Sequence, residues 1–353
     1  MRRWSKFIYF ESLVILAIIL PYTAAYPCTM PGPSSRLKTY CFTNEIAKIN
    51  EDFSQFQMLD YLYKREGYSK GVGLSERVDA TTIKYFATPI IDYNANINGG
   101  NPNKILELGS LRFEGDRSLV RKEGGVVGAR FGASGRHIYG KGRYLDFYID
   151  GSAIRSINDN LWIGQNSFSI CSKNHIRFYW YFDGCATGER TKKDLTDSVV
   201  NTSSFTLTRL LNKAENSYHE VKLGVAKRYE NTYIQKQLLF ELDSIHPNGI
   251  FSAVFLTLGE PVPEKLATKF KVEGMIGTFF FNRAASMSVS LQKADNGQIL
   301  DFDLEELTTL VRFNYALNPY LTISLGYTDK DSNIDYFDHK EPSLGIYFSP
   351  IEF

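Results

Sequence analysis

The chain has 353 residues, and its 40 Lys and Arg nearly balance its 39 Asp and Glu, so it lacks the basic excess that nucleic-acid-binding proteins carry. Aromatic residues make up 14% of the chain, and the mean hydropathy is −0.23. No segment after residue 20 approaches the roughly 18 uninterrupted apolar residues of a membrane-spanning helix, which excludes a helical membrane bundle.

Residues 1–25 have the features of a secretory signal peptide. Three basic residues precede an apolar run at 13–20, and residues 23–25 (Thr-Ala-Ala) offer a small-residue cleavage site. Pro21 ends the apolar run well short of the roughly 20 residues that an anchoring helix needs. The sequence therefore predicts export to a bacterial envelope.

Residues 26–80 differ in character from the rest of the chain. A segment containing Pro and Ser is bracketed by Cys28 and Cys41, and apolar residues at helical spacing follow Thr43 and Asn44, either of which could cap a helix. We expect one helix here, in a short periplasmic extension or a plug inside a barrel. Because the periplasm is oxidising and the enclosed loop is short, a disulfide between the two cysteines is reasonable.

From residue 81 onward, apolar residues recur at every second position. In the segment 285–291, Ala, Met, Val and Leu alternate with three serines. A period of two places each set on one face of a strand. The polar face carries mostly Ser, Thr, Gly and Asn, whereas a soluble sandwich would usually carry many Lys and Glu. This dyad predicts an all-β, antiparallel transmembrane barrel over 81–353, apolar toward lipid and polar toward the lumen.

Turn signals divide this region into fifteen candidate strands. They lie at 81–97, 104–114, 125–136, 140–151, 160–171, 174–183, 203–211, 217–229, 232–245, 249–259, 266–281, 284–293, 305–317, 319–329 and 341–352. Bacterial barrels close with an even number of strands. We therefore expect about fourteen, within a range of 12–16, with one run forming a loop or two runs fused.

The parity of these strands predicts which side chains line the pore. The expected inward-facing residues are Asp92, Asn94, Asn96, Arg130, Asp146, Tyr148, Asp150, Arg177, Tyr179, Lys222, Arg312 and Asn314. The spacing of the first three resembles a calcium loop, but the Gly and the Glu that such a loop needs are missing. We interpret them as a polar ladder facing the lumen. A lumen of about fourteen strands is wide enough to hold water, which favours passage of small polar solutes.

Cys171 and Cys185 conflict with the strand predicted at 174–183. At roughly 3.3 Å per residue the two would lie about 30 Å apart, whereas a disulfide needs Cα atoms within about 7 Å. Either the thiols are not paired with each other, or this segment folds back as a loop.

The end of the chain carries a recognisable pattern. Tyr347, Ile351 and Phe353 lie on a final amphipathic strand, and such an aromatic ending resembles the assembly signal of bacterial outer-membrane β-barrel proteins. The resemblance implies an outer-membrane location, contact with outer-membrane lipid and the barrel-assembly machinery as a partner. Ser349 and Pro350 depart from the usual form, since Pro cannot donate a hydrogen bond to a ladder.

A second resemblance concerns the mechanism. The sequence DYNANINGGNP at residues 92–102 is similar to the start of the barrel domain of surface lipoprotein assembly modifiers, which implies an exported lipoprotein as partner. That family carries helical repeats before its barrel, and only one helix is expected here. A porin-like channel therefore ranks first, a lipoprotein exporter second, and a structural barrel without transport third.

Motifs for catalysis are sparse. The five His residues show no metal-ligand spacing, and no nucleophile-elbow or phosphate-binding glycine motif occurs. We therefore expect neither an enzyme nor a cofactor or metal.

Overall fold

The computed structural model describes residues 27–29, 32–45, 53–68, 80–213 and 217–352. The chain forms a closed antiparallel barrel of fourteen strands, preceded by two short helices. Both the fold class and the predicted strand number are thus confirmed. The predicted signal peptide at 1–25 and the terminal Phe353 lie outside the described residues.

The elements follow one another simply along the chain. The helices are α1 (Ser35–Glu45) and α2 (Phe53–Arg65). The strands are β1 (Thr81–Asn94), β2 (Ile105–Leu108), β3 (Leu111–Glu114), β4 (Gly124–Gly140), β5 (Arg143–Ser156), β6 (Trp162–Arg177), β7 (Trp180–Lys192), β8 (Asp197–Lys213), β9 (Ser217–Glu230), β10 (Tyr233–Ile245), β11 (Phe251–Gly259), β12 (Ala267–Phe280), β13 (Arg283–Ile299), β14 (Phe302–Asn318), β15 (Leu321–Ser332), β16 (His339–Phe348) and β17 (Ile351–Glu352). No helix among the described residues is long and apolar enough to cross a membrane.

Sequence neighbours pair around the whole barrel. The strands β4 to β16 follow one another in order, and β1 closes the circle by pairing with β4 on one side and β16 on the other. The two-residue β17 continues β16 after Ser349 and Pro350, so the two count as one wall strand. The fifteenth predicted run, 104–114, is the separate hairpin β2–β3, which turns at Gly109 with a φ of 59°.

The single helix expected after Thr43 or Asn44 is wrong in number and in starting point. Those two residues lie in the last turn of α1, where their side chains donate to the carbonyl oxygens of Thr39 and Tyr40. An amphipathic pattern was missing because α1 is buried on several sides. Its buried residues are Arg36, Leu37, Thr39, Tyr40, Cys41 and Phe42.

The two ends of the barrel differ. At one end, here called the turn end, short connections such as 141–142, 178–179 and 319–320 join consecutive strands. The other end, the loop end, carries the long connection 95–123 between β1 and β4.

The outer surface of the barrel is an apolar belt. Every second residue of each strand points outward, and most of these residues are large and exposed. Examples from around the wall are Ile91, Phe131, Ile149, Phe168, Phe182, Phe205, Leu223, Leu238, Val254, Ile276, Leu291, Phe313 and Leu325. Closing the sheet pairs its edge strands, and the apolar belt matches the lipid-facing surface of a barrel that spans a membrane.

Candidate functional site: the lumen and its plug

The two helices occupy the lumen near the turn end. The described residues of 27–68, here called the plug, pack against inward-facing side chains at the turn ends of β4 to β11. Leu37, Tyr40 and Phe42 of α1 belong to one buried cluster with Leu210 and Phe251 of the wall. The contacts of the plug therefore identify the lumen face of these strands, and the strand register extends that assignment to the rest of the wall.

One buried ion pair fastens α1 to the wall. The Arg36 guanidinium donates to both carboxylate oxygens of Asp183 on β7, at 2.7 and 2.9 Å. Their side chains are only 4% and 2% exposed. The same guanidinium lies 4.2 Å from the ring centre of Tyr181. A bidentate, desolvated pair of this kind fixes orientation as well as position.

Glu66, which directly follows α2, forms a second attachment point. Its carboxylate accepts a hydrogen bond from Ser35 of α1 and lies 3.3 Å from Arg136 of β4. Arg136 in turn makes a bidentate contact with Asp146 of β5, at 2.6 and 2.9 Å. Glu66 thus links both helices to the barrel through one charge network.

Two further contacts involve β9. Ser34 donates to Glu220, and the Tyr218 hydroxyl donates to Glu45 at 2.5 Å. The Cys28–Cys41 disulfide, with Cα atoms 5.6 Å apart, ties the segment before α1 to the helix itself. Within the plug, burial and then the charge of Arg65 lower the pKa of Lys38, while burial chiefly raises the pKa of Tyr68.

The wall also carries ion pairs on the loop-end side of the plug. Arg130 of β4 pairs with Asp150 of β5 and lies 5.9 Å from the ring of Tyr148. Lys222 of β9 contacts Glu241 at 2.5 Å and Asp243 at 3.2 Å on β10. Most of the charges predicted for this part of the lumen therefore neutralise one another across neighbouring strands.

The predicted pore-lining residues fall into four groups, of which Arg177 is described separately below. Inward-facing positions on the strands hold Asp92, Asn94, Arg130, Asp146, Tyr148, Asp150, Lys222, Arg312 and Asn314. Tyr179 lies in the β6–β7 turn with its ring 4.6 Å from that of Tyr40, so it packs on the plug. Asn96 lies beyond the end of β1, where its side-chain amide donates to the carbonyl of Gly100.

Arg177 does not line the pore, and its assignment is wrong. The predicted strand 174–183 is in fact a hairpin, with β6 ending at Arg177 and β7 beginning at Trp180. The turn residue Phe178 has a φ of 50°. A bulge after His175 pairs Arg177 with Trp180 on the outer face, so parity counted through the turn fails.

The same hairpin resolves the conflict over the second cysteine pair. Cys171 and Cys185 are directly opposite on β6 and β7, with Cα atoms 4.1 Å apart, and they form a disulfide. The second of the two alternatives, a segment that folds back, is therefore correct.

The wall opposite the main plug contacts has a different lining. On β13 to β16 and β1, here called the open wall, many inward positions carry uncharged polar side chains. They include Ser286, Ser288, Ser290, Gln292, Thr308, Asn314, Thr322, Ser324, Thr328, Ser343 and Thr88. Arg312 stands among them, exposed to the lumen, and none of the ion pairs among the described residues includes it. A crevice of about 240 Å³ also separates Tyr61 and Arg65 of α2 from Thr82 and Lys84 of β1.

The β1–β4 connection folds across the loop end. Near its start, the backbone of Asn98 accepts from Leu195 N at 2.8 Å, and Lys193 donates to the Asn96 carbonyl at 2.6 Å. Further along, the Asn103 amide donates to three carbonyls of the β15–β16 loop, at 3.0 to 3.1 Å. These contacts lie on widely separated parts of the rim, so the connection narrows the mouth. Burial lowers the pKa of Lys193.

Sequence reasoning missed the residues that anchor the plug. Arg36 and Asp183 are 147 positions apart, and Ser34 and Glu220 are 186 apart. Asp183 was predicted as the last residue of a single strand at 174–183, which is in fact a hairpin. Arg36 lies in a segment for which no helix was predicted. The inward parity of Glu220 beside Lys222 was the one available signal.

No family model matches the sequence, and no curated protein matches it. Among solved structures, the chain is similar to Pseudomonas aeruginosa OpdK with vanillate, at 10% identity over 77% of this chain and 98% of that one, with a TM-score of 0.40. Acinetobacter baumannii OccAB4 gives 8% identity, coverage of 79% and 99%, and a TM-score of 0.36. A BenF-like porin from Pseudomonas fluorescens Pf-5 gives 9% identity, coverage of 78% and 100%, and a TM-score of 0.37. Likenesses this low leave the function to be argued from the residues of this chain.

Proposed function

We propose that the chain is a bacterial outer-membrane channel that passes small polar solutes along the open wall of its lumen. The observation that carries the proposal is the contrast between the two faces of a closed barrel. Outside lies the apolar belt, and inside β13 to β16 present many hydroxyl and amide groups. Polar side chains that leave free space can replace part of the hydration shell of a passing solute.

The plug and the folded connection give the passage two narrow points. The plug occupies the side of the lumen formed by β4 to β11 near the turn end, so solutes would pass beside it along the open wall. The connection 95–123 narrows the loop end. By analogy with bacterial barrels, whose short turns lie in the periplasm, the plug would face the periplasm.

The lipoprotein-exporter alternative gains no specific support. Its substrate-receiving part would be a set of helical repeats, and the described part of the extension has room for α1 and α2 only. A channel requires no such part. We therefore carry the channel forward as the function that the residues support best.

The test is ion conductance of the purified full chain in a planar bilayer. We expect discrete conductance, and we expect Arg312→Glu to shift selectivity toward cations, because charge at a narrow lumen sets the local ion concentration. Arg177→Glu is the matched control, since Arg177 lies on the outer face at the turn end. A chain that stays silent, both as the wild type and with the plug loosened, would refute the channel.

A further inference from the structure

The barrel closes through an unusually short ladder. β1 pairs with β16 at three positions, from Ile90–Tyr347 to Asp92–Gly345, and with β17 at two, Phe86–Glu352 and Ala87–Ile351. The other neighbouring strands of the wall pair at eight or more positions, and β1 pairs with β4 at fourteen. Among residues up to Glu352, the seam between β1 and β16 is thus the weakest line in the wall.

The sequence itself marks these two strands as edges. Pro89 lies in β1 and Pro342 in β16, and no other strand of the barrel contains a proline. Pro350 separates β16 from β17. Because proline lacks the N–H that a ladder needs, it is confined to edge strands and bulges. The positions of these prolines in the sequence therefore favour a short ladder between the two strands.

The loop-end half of the seam is held by side chains instead of backbone bonds. β1 ends at Asn94 and the chain turns inward, so residues 339–344 of β16 have no pairing partner on that side among the described residues. An ion pair between Arg121 and Glu341, at 2.6 Å, bridges the two sides from within. Side-chain contacts of this partly exposed kind are weak and reversible compared with a ladder.

The two faces of the seam differ in polarity. Toward the lumen lie Asp92 and Tyr347, beside the hydroxyls of Ser324 and Ser343. Toward the outside lie Ile91, Leu344 and Ile351, which are 44%, 51% and 66% exposed. A molecule crossing here would leave a hydroxyl-rich lumen for hydrocarbon.

A cavity of about 790 Å³ lies at the loop end, against the loop that leads into β16. It is formed by the β2–β3 hairpin, the start of β14 and the β15–β16 loop. Its lining includes the apolar residues Ile105, Leu108, Phe302 and Ile334 and the polar or charged residues Asn103, Lys104, Glu107, Asp303, Asn333 and Asp335. Such a mixed lining suits a ligand with one hydroxylated end and one apolar end.

From these features we infer that the seam is a lateral exit through which single-chain amphiphiles with a neutral, hydroxylated head group pass from the lumen into the bilayer. The cavity would take up the amphiphile, the open wall would bind its hydroxyls, and separation of β16 from β1 would release its chain into lipid. The inference rests on the proposed function, because it uses the same lumen. It adds a second route and a second class of solute.

The test locks the seam with a disulfide. Ile91 and Ile346 are directly paired and both point outward, so oxidation of Ile91→Cys/Ile346→Cys would fix β1 to β16. The control is Phe313→Cys/Leu325→Cys, an outward pair on the fully paired β14 and β15. The probe is a fluorescently labelled dodecyl glucoside, and its uptake is measured in intact host cells that produce the full chain. Mass spectrometry verifies each cross-link.

We expect the seam lock to reduce probe uptake to the level of cells without the barrel, while the control lock leaves it unchanged. Bilayer conductance of both locked proteins should match the wild type, because the lumen stays open. Undiminished uptake in the seam-locked protein, with conductance intact, would overturn the exit and leave the channel standing. Lock-sensitive uptake without any conductance would instead overturn the channel.

A measurement on the unmodified chain covers the case in which the double variant does not fold. Amide hydrogen exchange of the wild type in lipid should be about tenfold faster in 339–347 than in β14 and β15, the factor that corresponds to roughly one hydrogen bond. Equal protection of both regions would contradict an opening seam.

Discussion

The plug-bearing wall, formed by β4 to β11, and the open wall share the same alternation of inward and outward residues but differ in what their inward residues contact. On β4 to β11 the inward positions carry charges such as Arg136, Asp183 and Glu220, and these are committed to the plug or to one another. On β13 to β16 many inward positions carry Ser or Thr, and the Lys330–Glu306 ion pair lies near the loop end. One wall therefore holds an occupant, and the other leaves space for solutes. The inner face of a barrel is not one surface, and its function depends on which polar groups are already satisfied.

The largest effect should come from breaking the buried ion pair of the plug-bearing wall. Asp183→Ala leaves the Arg36 guanidinium buried without its carboxylate, which should weaken the plug's attachment by about 3–5 kcal/mol. We expect faster proteolysis within 27–68 and a higher single-channel conductance. The control is Asp197→Ala, which removes the partner of Arg190 from an exposed pair, where a change of about 0–1 kcal/mol is expected. Unchanged proteolysis in Asp183→Ala would show that this ion pair does not hold the plug.

The next effect separates the two faces of the open wall. Leu325 points outward on β15 and is 50% exposed, so Leu325→Arg should destabilise the folded barrel in lipid by about 2–4 kcal/mol if the position lies near the middle of the membrane. Thr322→Arg, which faces the lumen on the same strand, should leave stability nearly unchanged. Urea unfolding in lipid vesicles measures both variants. Equal destabilisation would mean that both faces are packed, as in a sandwich.

A smaller effect concerns the plug alone. The Cys28–Cys41 bond closes a loop with a sequence separation of 13, and chain entropy assigns about 3 kcal/mol to a closure of this size. Cys28→Ser/Cys41→Ser should therefore raise protease cleavage in the plug while the barrel keeps its heat-modifiable mobility on gels. Cys171→Ser/Cys185→Ser is the comparison, since its hairpin also has a backbone ladder. Enhanced plug cleavage in that second variant alone would reverse the assignment.

The sequence alone predicted the wall well and its occupant poorly. Alternation such as that in 285–291 depends only on neighbours along a strand, and it yielded the barrel, the fourteen strands and the inward parity of Arg130, Lys222 and Arg312. The hairpin at Phe178 escaped because its turn residues are bulky aromatics instead of Gly or Asn, so no turn signal was present. The attachment of the plug escaped because Arg36 and Asp183 meet only in the folded chain. Local periodicity carries no information on such distant contacts.

The last prediction concerns the path itself, with little expected change in stability. Ser288 faces the lumen near the middle of β13, a strand of the open wall, whereas Ser204 faces it on β8, within the plug-bearing wall. Both are partly exposed, and both substitutions add the same bulk, so unfolding free energies should stay within about 0.5 kcal/mol of the wild type for side chains that project into water. Ser288→Trp should nevertheless lower the single-channel conductance, because the indole would fill part of the passage. Ser204→Trp should lower it less, since Ser204 lies on the wall away from the proposed solute path. A larger loss of conductance in Ser204→Trp than in Ser288→Trp would indicate that solutes pass along the plug-bearing wall instead.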